Sequence, residues 1–368
     1  MHGRNRNATA GRCRRVAAVA LFLFGAATSG AAAEDVCPDA AHSAVTGRDA
    51  ALVVDGQSGQ ILYERNATAE RHPASLTKMM TLYLLFDALK AHQIGLQTEL
   101  TISRHAAAQA KVNLSLSPGM TMSVETAIKA IIVRSANDVA VAVAEAIGGT
   151  EGHFAELMTA KARALGMHDT FYHNASGLPD PLQITTASDL AILARHLAYD
   201  FPQYYPYFAT PSFSYHGASY YTHDNLLGRF RGTDGIKTGY TNASGFNLVS
   251  SVVRDGAHVI GVVMGGDTAR ERDDEMVRLL ASTFERVKAN PSLVAHGDIP
   301  WKSPVAAADA VVPPAPVGPP APVFLVSAPT LNPILARSGE VDEDTAESLT
   351  RGGQGDTNCP VRESNRHV

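Results

Sequence analysis

Ser75-Leu-Thr-Lys78 opens an apolar run through Met79, Met80, Leu82, Tyr83, Leu84, Leu85, Phe86 and Leu89. A helix that is apolar on most sides has no face to offer water, so the chain must wrap other elements around it. Pro73 precedes this run and places Ser75 and Lys78 in its first turn. Residues three apart on a helix are neighbours, with Cβ atoms about 5–6 Å apart. A hydroxyl and an amine therefore share one face at a helix N-terminus, where backbone N–H groups are free and the dipole is positive. Serine is a weak nucleophile that needs an adjacent base. A lysine can be that base only where burial or a second cation lowers its pKa.

A Ser-x-x-Lys arises by chance about once per 250 residues, so it needs company. Ser135-Ala-Asn137 follows a helical run from Val124 to Val133, and a further helix starts at Asp138. In that gap Ser135 can pass a proton and Asn137 can hold a substrate carbonyl or orient Lys78. Either side chain can equally cap the helix behind it. Lys237-Thr238-Gly239 lies on a predicted strand, with a glycine that lets a substrate backbone run close along the edge. A given Lys-Thr-Gly occurs only about once in several thousand positions. Three signals in this order supply a nucleophile, a base, a proton relay and a cationic wall, which is equipment for acyl transfer to serine without histidine.

The elements around these motifs read as α+β. Ala51-Leu-Val-Val54 and Ile61-Leu-Tyr63 form a hairpin about Asp55-Gly-Gln-Ser-Gly59. Gly152 to Leu165 and Thr186 to Tyr199 are helices, the latter with start signals at Ser188 and Asp189. Three strands follow at 235–238, 246–253 and 258–263, with Gly256 in the last turn, and a helix from Asp273 to Val287 closes the unit. The first hairpin is expected to join the last strands in one antiparallel five-stranded sheet, flanked by helices and an all-helical subdomain.

The ends read differently. Met1 to Arg15 carries five arginines and no acid, an apolar run extends from Val16 to about Thr28, and Ala31-Ala32-Ala33 follows. This describes a cleavable export signal over residues 1–33, since a bilayer span needs about 20 apolar residues. Arg14-Arg15 leaves the export route open between the general and twin-arginine pathways. Cleavage takes five positive charges and no negative ones, so the net charge goes from −5 to −10. An acidic mature chain is a poor nucleic-acid partner. Cys37 and Cys359 are the cysteines left, placed to pair or to stay as free thiols. Residues 34–47 read as a linker, 48–301 as the catalytic domain and 302–368, rich in proline and alanine, as a disordered tail.

The chain resembles the low-molecular-mass penicillin-binding proteins, specifically the serine D-alanyl-D-alanine carboxypeptidases. Beyond the three motifs, the resemblance covers Ala51-Leu-Val-Val-Asp55, His72-Pro-Ala-Ser-Leu-Thr-Lys-Met-Met80, Arg134-Ser-Ala-Asn-Asp138, Asn174-Ala-Ser-Gly-Leu178, Thr233-Asp-Gly-Ile-Lys-Thr-Gly239 and Val263-Met-Gly-Gly266. It implies a β-lactamase/transpeptidase-like fold and an exported, periplasmic enzyme that trims peptidoglycan stem peptides ending in D-Ala-D-Ala. It also implies covalent inhibition by β-lactams and no cofactor. Ser75 would form the acyl-enzyme, Lys78 would be the base and Ser135 the relay. Asn137 would hold the peptide amide, Lys237 would raise the potential and Thr238 would bind the terminal carboxylate beside Gly239. Arg272 stands where the family's carboxylate-binding arginine is expected, with Arg270 as its competitor. The N–H groups of Ser75 and Tyr240 would form the oxyanion hole.

Many family members add a β-rich second domain and an amphipathic membrane-gripping helix. Residues after 301 show neither pattern, and Pro322-Val-Phe-Leu-Val326 is too short for an anchor. A soluble enzyme without an integral membrane span is expected. Three rival readings use the same motifs. A β-lactamase needs a deacylating base, a glutamate in class A enzymes, and Lys161 to Lys237 contains no glutamate. An idle cell-wall-binding module would have no need of an intact Ser75, Lys78, Ser135 and Lys237. An endopeptidase acting on cross-links would use the same residues. Metal hydrolysis lacks any His-Glu-x-x-His or paired-cysteine pattern.

Overall fold

Every residue of Ala50–Asp55 (β1) is buried, and the two faces of that strand enter two different cores. Ala50, Leu52 and Val54 join one apolar cluster; Ala51 and Val53 join the other. A strand covered on both faces needs a continuous apolar run rather than alternation, which is what Ala51-Leu-Val-Val54 provides. A computed structural model describes residues 47–302 except residue 111. The expected export signal, linker and tail, with Cys37 and Cys359, lie outside the described residues, save Gly47 and Lys302 at the borders.

Ile61–Arg65 (β2) pairs antiparallel with β1. The nucleophile motif forms a short 3-10 turn at Ala74–Thr77 that runs into Lys78–Lys90 (α1). Only Asp87 and Lys90 of α1 escape full burial, so it is the central helix its apolar run requires. The middle of the chain continues with Glu99–Thr101 (β3), Arg104–Ala107 (α2), Thr121–Ser123 (β4) and Val124–Lys129 (α3). A π-helical turn at Ala130–Arg134 ends on Ser135, and Asn137–Gly148 (α4), Glu151–Leu165 (α5) and Ala187–Asp200 (α6) follow. Thr186 caps α6, its hydroxyl accepting from the Asp189 N–H, so the start signal is Thr186 rather than Ser188 or Asp189.

The helical insertion also carries two ribbons that an all-helical subdomain did not include. One pairs β3 with β4; the other is a hairpin of Ser212–Tyr215 (β5) and Ala218–Tyr221 (β6). Three-residue strands such as Glu-Leu-Thr are too short to show a period in sequence. The second ribbon turns at His216-Gly217, both at positive φ, as a two-residue hairpin loop demands.

Thr233–Thr241 (β7), Gly245–Arg254 (β8) and Ala257–Gly266 (β9) complete the sheet in the antiparallel order β2-β1-β9-β8-β7. One edge of that sheet is therefore β7, the strand that bears Lys237-Thr238-Gly239, and the other is β2. Ala269–Ala289 (α7) covers the face that Ala51, Val53, Val259 and Val263 share. This helix starts four residues before Asp273 because the Thr268 hydroxyl accepts from the Glu271 N–H, half of a Thr-x-x-Glu capping box.

Candidate active site

The nucleophile turn is clamped from two sides by close backbone approach. A Cβ on Gly239 would sit 3.0 Å from the Ser75 nitrogen and 3.1 Å from the Pro73 oxygen. A Cβ on Gly177, at φ +82°, would lie 1.8 Å from the Ala74 oxygen. Only glycine fits at 177, and at 239 any side chain would press on the turn. Asn247 of β8 secures the same turn: its amide donates to the His72 and Pro73 oxygens at 3.1 and 3.3 Å and accepts from the Gly265 N–H at 3.0 Å. The edge strand, the loop at 174–178 and the start of α1 thus meet at Ser75.

Lys78 is wholly buried. Its ammonium nitrogen lies 3.1 Å from Ser75 Oγ and 2.7 Å from Asn137 Oδ1, and it also donates to the Ser176 carbonyl. Burial first, then the nearby Lys237 charge, hold its pKa well below that of a free lysine, against an opposing pull from Asp138. No carboxylate pairs with this amine among the described residues; the Asn137 and Ser176 oxygens accept from it, and its third direction faces Ser75 Oγ. Asn137 is committed at both ends, since its Nδ2 donates to the Ala110 carbonyl at 2.8 Å. This arrangement orients Lys78, the alternative that residue type alone had left open.

Ser135 sits at φ +60°, a left-handed conformation unusual for a non-glycine residue. It is 4 % exposed, and its hydroxyl has no partner in the described structure. The turn from the π-helix into α4 forces this geometry. Asp138 fixes the neighbouring loop by accepting from the Leu114, Leu116 and Val139 N–H groups. A positive φ and an unsatisfied buried hydroxyl coincide at this residue among the described residues. The Ser135 side chain caps nothing: α4 has no side-chain cap bond.

Lys237 is 2 % exposed and donates to the Thr238 carbonyl at 2.9 Å. Burial pulls its pKa down to about 7; Asp224 resists that pull and Arg272 adds to it. Thr238 is buried, whereas Tyr240 is exposed on the outer strand with its ring 4.2 Å from that of Phe246. Arg272 and Arg270 differ sharply. Arg270 is 90 % exposed and pairs loosely with Asp274. Arg272 is 3 % exposed, donates twice to Asp273 Oδ1 at 2.9 and 2.7 Å, and reaches the Asn247 carbonyl at 3.2 Å. Arg272 is thus the arginine on the Lys237 side of the molecule.

Sequence reasoning missed Asn247, Ser176 and Asp224. The first left a signal, a polar residue inside the apolar strand Phe246-Asn-Leu-Val. Ser176 lay in a segment of the resemblance with no role assigned to it. A groove continues past the nucleophile turn between Pro73-Ala74, Leu178–Pro181 and Thr241. No cluster of His, Cys, Asp or Glu fit for a metal ion exists among the described residues.

Comparison with known proteins converges on one family. The peptidase family described as D-alanyl-D-alanine carboxypeptidase matches residues 38–268. The D-alanyl-D-alanine carboxypeptidase DacD of Escherichia coli is 35% identical over 276 residues, 73% of this chain and 70% of that protein. Other curated relatives from Escherichia coli and Bacillus subtilis are spanned over 60–68% of their length. Among solved structures, penicillin binding protein 5 of Haemophilus influenzae is 33% identical with a TM-score of 0.63, covering 66% of this chain and 71% of that one. A penicillin-binding protein of Listeria monocytogenes in its ampicillin-bound form is 31% identical with a TM-score of 0.58, covering 63% of this chain and 96% of that one. The sheet order, the helical insertion and the meeting of three motifs at Ser75 agree with this match, and the chain belongs to the D-alanyl-D-alanine carboxypeptidase family of serine peptidases.

Proposed function

We propose that Ser75, Lys78 and Ser135 carry out the carboxypeptidase reaction of this family on peptidoglycan stem peptides ending in D-Ala-D-Ala. The observation that carries the assignment is the 3.1 Å contact between the Lys78 amine and Ser75 Oγ in a buried site with no carboxylate partner for the amine. Neutral Lys78 takes the Ser75 proton as Oγ attacks the carbonyl of the penultimate D-alanine. The Ser75 and Tyr240 N–H groups hold the resulting oxyanion. As the C–N bond breaks, Lys78 returns the proton through Ser135 to the leaving D-alanine amine. Water then attacks the Ser75 ester, Lys78 takes its proton, and the shortened peptide departs as Oγ is reprotonated.

Asn137 keeps Lys78 aimed at Ser75. Gly239 and the β7 edge receive the peptide backbone, and Thr238 binds the terminal carboxylate in the positive field of Lys237 and Arg272. A β-lactam enters the same path and stays on Ser75 as a stable ester. The arginine-rich start and apolar run of residues 1–33 support export to the periplasm, and no helix of the described residues is long and apolar enough to cross a membrane.

The test uses the purified protein with muropeptides and a labelled penicillin. Mass spectrometry should show loss of one terminal D-alanine, and Ser75→Ala should abolish covalent labelling. Persistent labelling of the Ala variant removes Ser75 as nucleophile. Conversion of cross-linked dimers to monomers without free D-alanine replaces the carboxypeptidase by an endopeptidase.

A further inference from the structure

Between β6 and β7 the chain runs through Thr222-His223-Asp224-Asn225, and Asp224 ends up 5 % exposed. One of its oxygens accepts from the Leu226 N–H at 2.9 Å; the other, Oδ2, is buried with no partner. A buried carboxylate normally has both oxygens satisfied. The loop is tied to α7, because Asn225 Nδ2 donates to Asp273 Oδ2 at 2.8 Å while Arg272 holds Asp273 Oδ1. Lys237 from β7 faces the same interior and spends its ammonium on a single backbone carbonyl. Two buried cations, Lys237 and Arg272, thus share a region with two buried anions, Asp273 and Asp224.

The charges do not pair off evenly. Arg272 is taken up by Asp273 and the Asn247 carbonyl. Asp224 has no ion-pair partner of its own among the described residues, yet its charge acts on Lys237. A subsite meant for a carboxylate gains from net positive charge, and each buried anion beside it subtracts from that gain. A hold that is too strong also retains the product D-alanine, which carries a carboxylate of its own.

We propose that Asp224 is a positioning residue that sets how strongly the site grips a terminal carboxylate, its charge offsetting those of Lys237 and Arg272. It acts through Lys237 and need not touch the substrate. The carboxyl is pushed up to about 6 by burial, against the Leu226 N–H, Arg272 and Lys237, with Asp273 adding to the rise. His223 is the titratable neighbour in the same loop; burial and the charges of Lys237, Arg134 and Arg272 keep it neutral near pH 7. Below about pH 6 the Asp224 charge is lost and the grip tightens; above it the grip relaxes.

This inference rests on the carboxypeptidase reading for the identity of the carboxylate. Its test measures binding, not turnover. The full chain and its Asp224→Asn variant are labelled briefly with a fluorescent penicillin between pH 5 and pH 8. An N-acylated D-Ala-D-Ala competes, either as the free acid or as the C-terminal amide. Asparagine keeps the acceptor for the Leu226 N–H and replaces the charged second oxygen by a neutral amide NH2. At pH 6.5, where Asp224 is mostly ionised and Lys237 mostly protonated, the variant should hold the acid roughly three- to tenfold tighter than the wild type. The amide should bind both proteins alike, and the difference should vanish at pH 5. An equal gain for acid and amide overturns the proposal. So does a weaker hold on the acid, which would mean that Asp224 serves to keep Lys237 charged. The wild type gives a second measurement should the variant misfold: its preference for acid over amide must already fall between pH 5 and pH 6, before Lys237, held at about 7, gives up its proton, and a preference flat over that span overturns the idea. A wild type that takes the label but releases no D-alanine defeats the reaction assignment and leaves this comparison of binding intact.

Discussion

Two buried polar clusters share strand β7, and they are finished in opposite ways. Near its start, Asp234 accepts from Ser251 Oγ at 2.7 Å, from the Trp301 indole at 2.8 Å and from Lys302 at 3.0 Å. His258 lies between Ser251 and Tyr199, 3.0 and 2.9 Å away, and burial pulls its pKa down to about 4, so it serves as a neutral bridge. Further along β7, the cluster around Lys237 and Lys78 leaves a serine hydroxyl and a carboxylate oxygen unpartnered, and it holds Ser135 at positive φ. The first cluster gives Asp234 three partners and fastens the Pro300–Lys302 turn to the sheet, with the Tyr205 hydroxyl beside it left unpartnered. The second leaves groups open, as the proposed reaction requires. Unpaired atoms alone do not separate two networks of equal depth; the second is set apart by an unpaired hydroxyl at positive φ together with two buried amines whose pKa values are lowered.

The largest expected effect comes from removing the base. Lys78→Met keeps an unbranched side chain of similar length and removes the amine. Acylation by labelled penicillin should fall at least about 10³-fold. The thermal midpoint should move by only a few degrees, because the lost hydrogen bonds are offset by relief from burying an amine. The wild type should also show an acid limb. Lys78 works only when neutral, so activity falls as the pH drops through its folded pKa, which lies well below the free value of 10.5. An acid limb near pH 10 would refute the neutral lysine. A stability loss as severe as the activity loss would make Lys78 a structural residue and erase the contrast between the clusters.

How much of this was legible beforehand follows from the range of each interaction. Ser75 and Lys78 are three residues apart, so helix geometry alone brings them together. Strands β8 and β9 announce themselves by apolar runs about a Gly256 turn. The commitment of Asn137 to Lys78 spans 59 residues and the staple from Asn247 to His72 spans 175, and no local period encodes either. Arg272 was placed by resemblance, but its engagement with the very next residue, Asp273, was not foreseen. Asp224 gave no signal at all. A lone aspartate in a polar stretch reads as a turn residue, and only the fold shows it buried.

The open cluster should also cost stability where the closed one supplies it. Asp224 has a folded pKa of about 6 against an ordinary 3.8. Between those values the folded protein binds more protons than the unfolded chain, so stability falls as the pH rises through that window. The loss is complete above about pH 6 and absent below about pH 4. Asp224→Asn should therefore raise unfolding stability by about 1–3 kcal/mol at pH 7 and by nothing at pH 3.5, read from urea titrations at the two values. A gain that persists at pH 3.5 would come from packing rather than charge.

The smallest effect tests the closed cluster and carries the opposite sign. Trp301→Phe deletes the indole donor to Asp234 and retains an aromatic ring against Tyr205, Tyr199 and His258, whose centroids lie 4.6, 5.4 and 5.0 Å away. Asp234 keeps Ser251 and Lys302, so the carboxylate is not orphaned and the cost is that of one hydrogen bond to a charged group. The variant should lose about 0.5–1 kcal/mol, below the usual worth of a hydrogen bond to a charged group, because Lys302 can close up on the freed oxygen. Acylation at saturating penicillin should stay within about twofold, because Asp234 is three residues from Lys237 and nothing in the site hydrogen-bonds to Trp301. Should acylation fall tenfold while stability barely changes, the Pro300–Lys302 turn would be part of the catalytic apparatus, and the division of β7 into a structural and a chemical half would have to be redrawn.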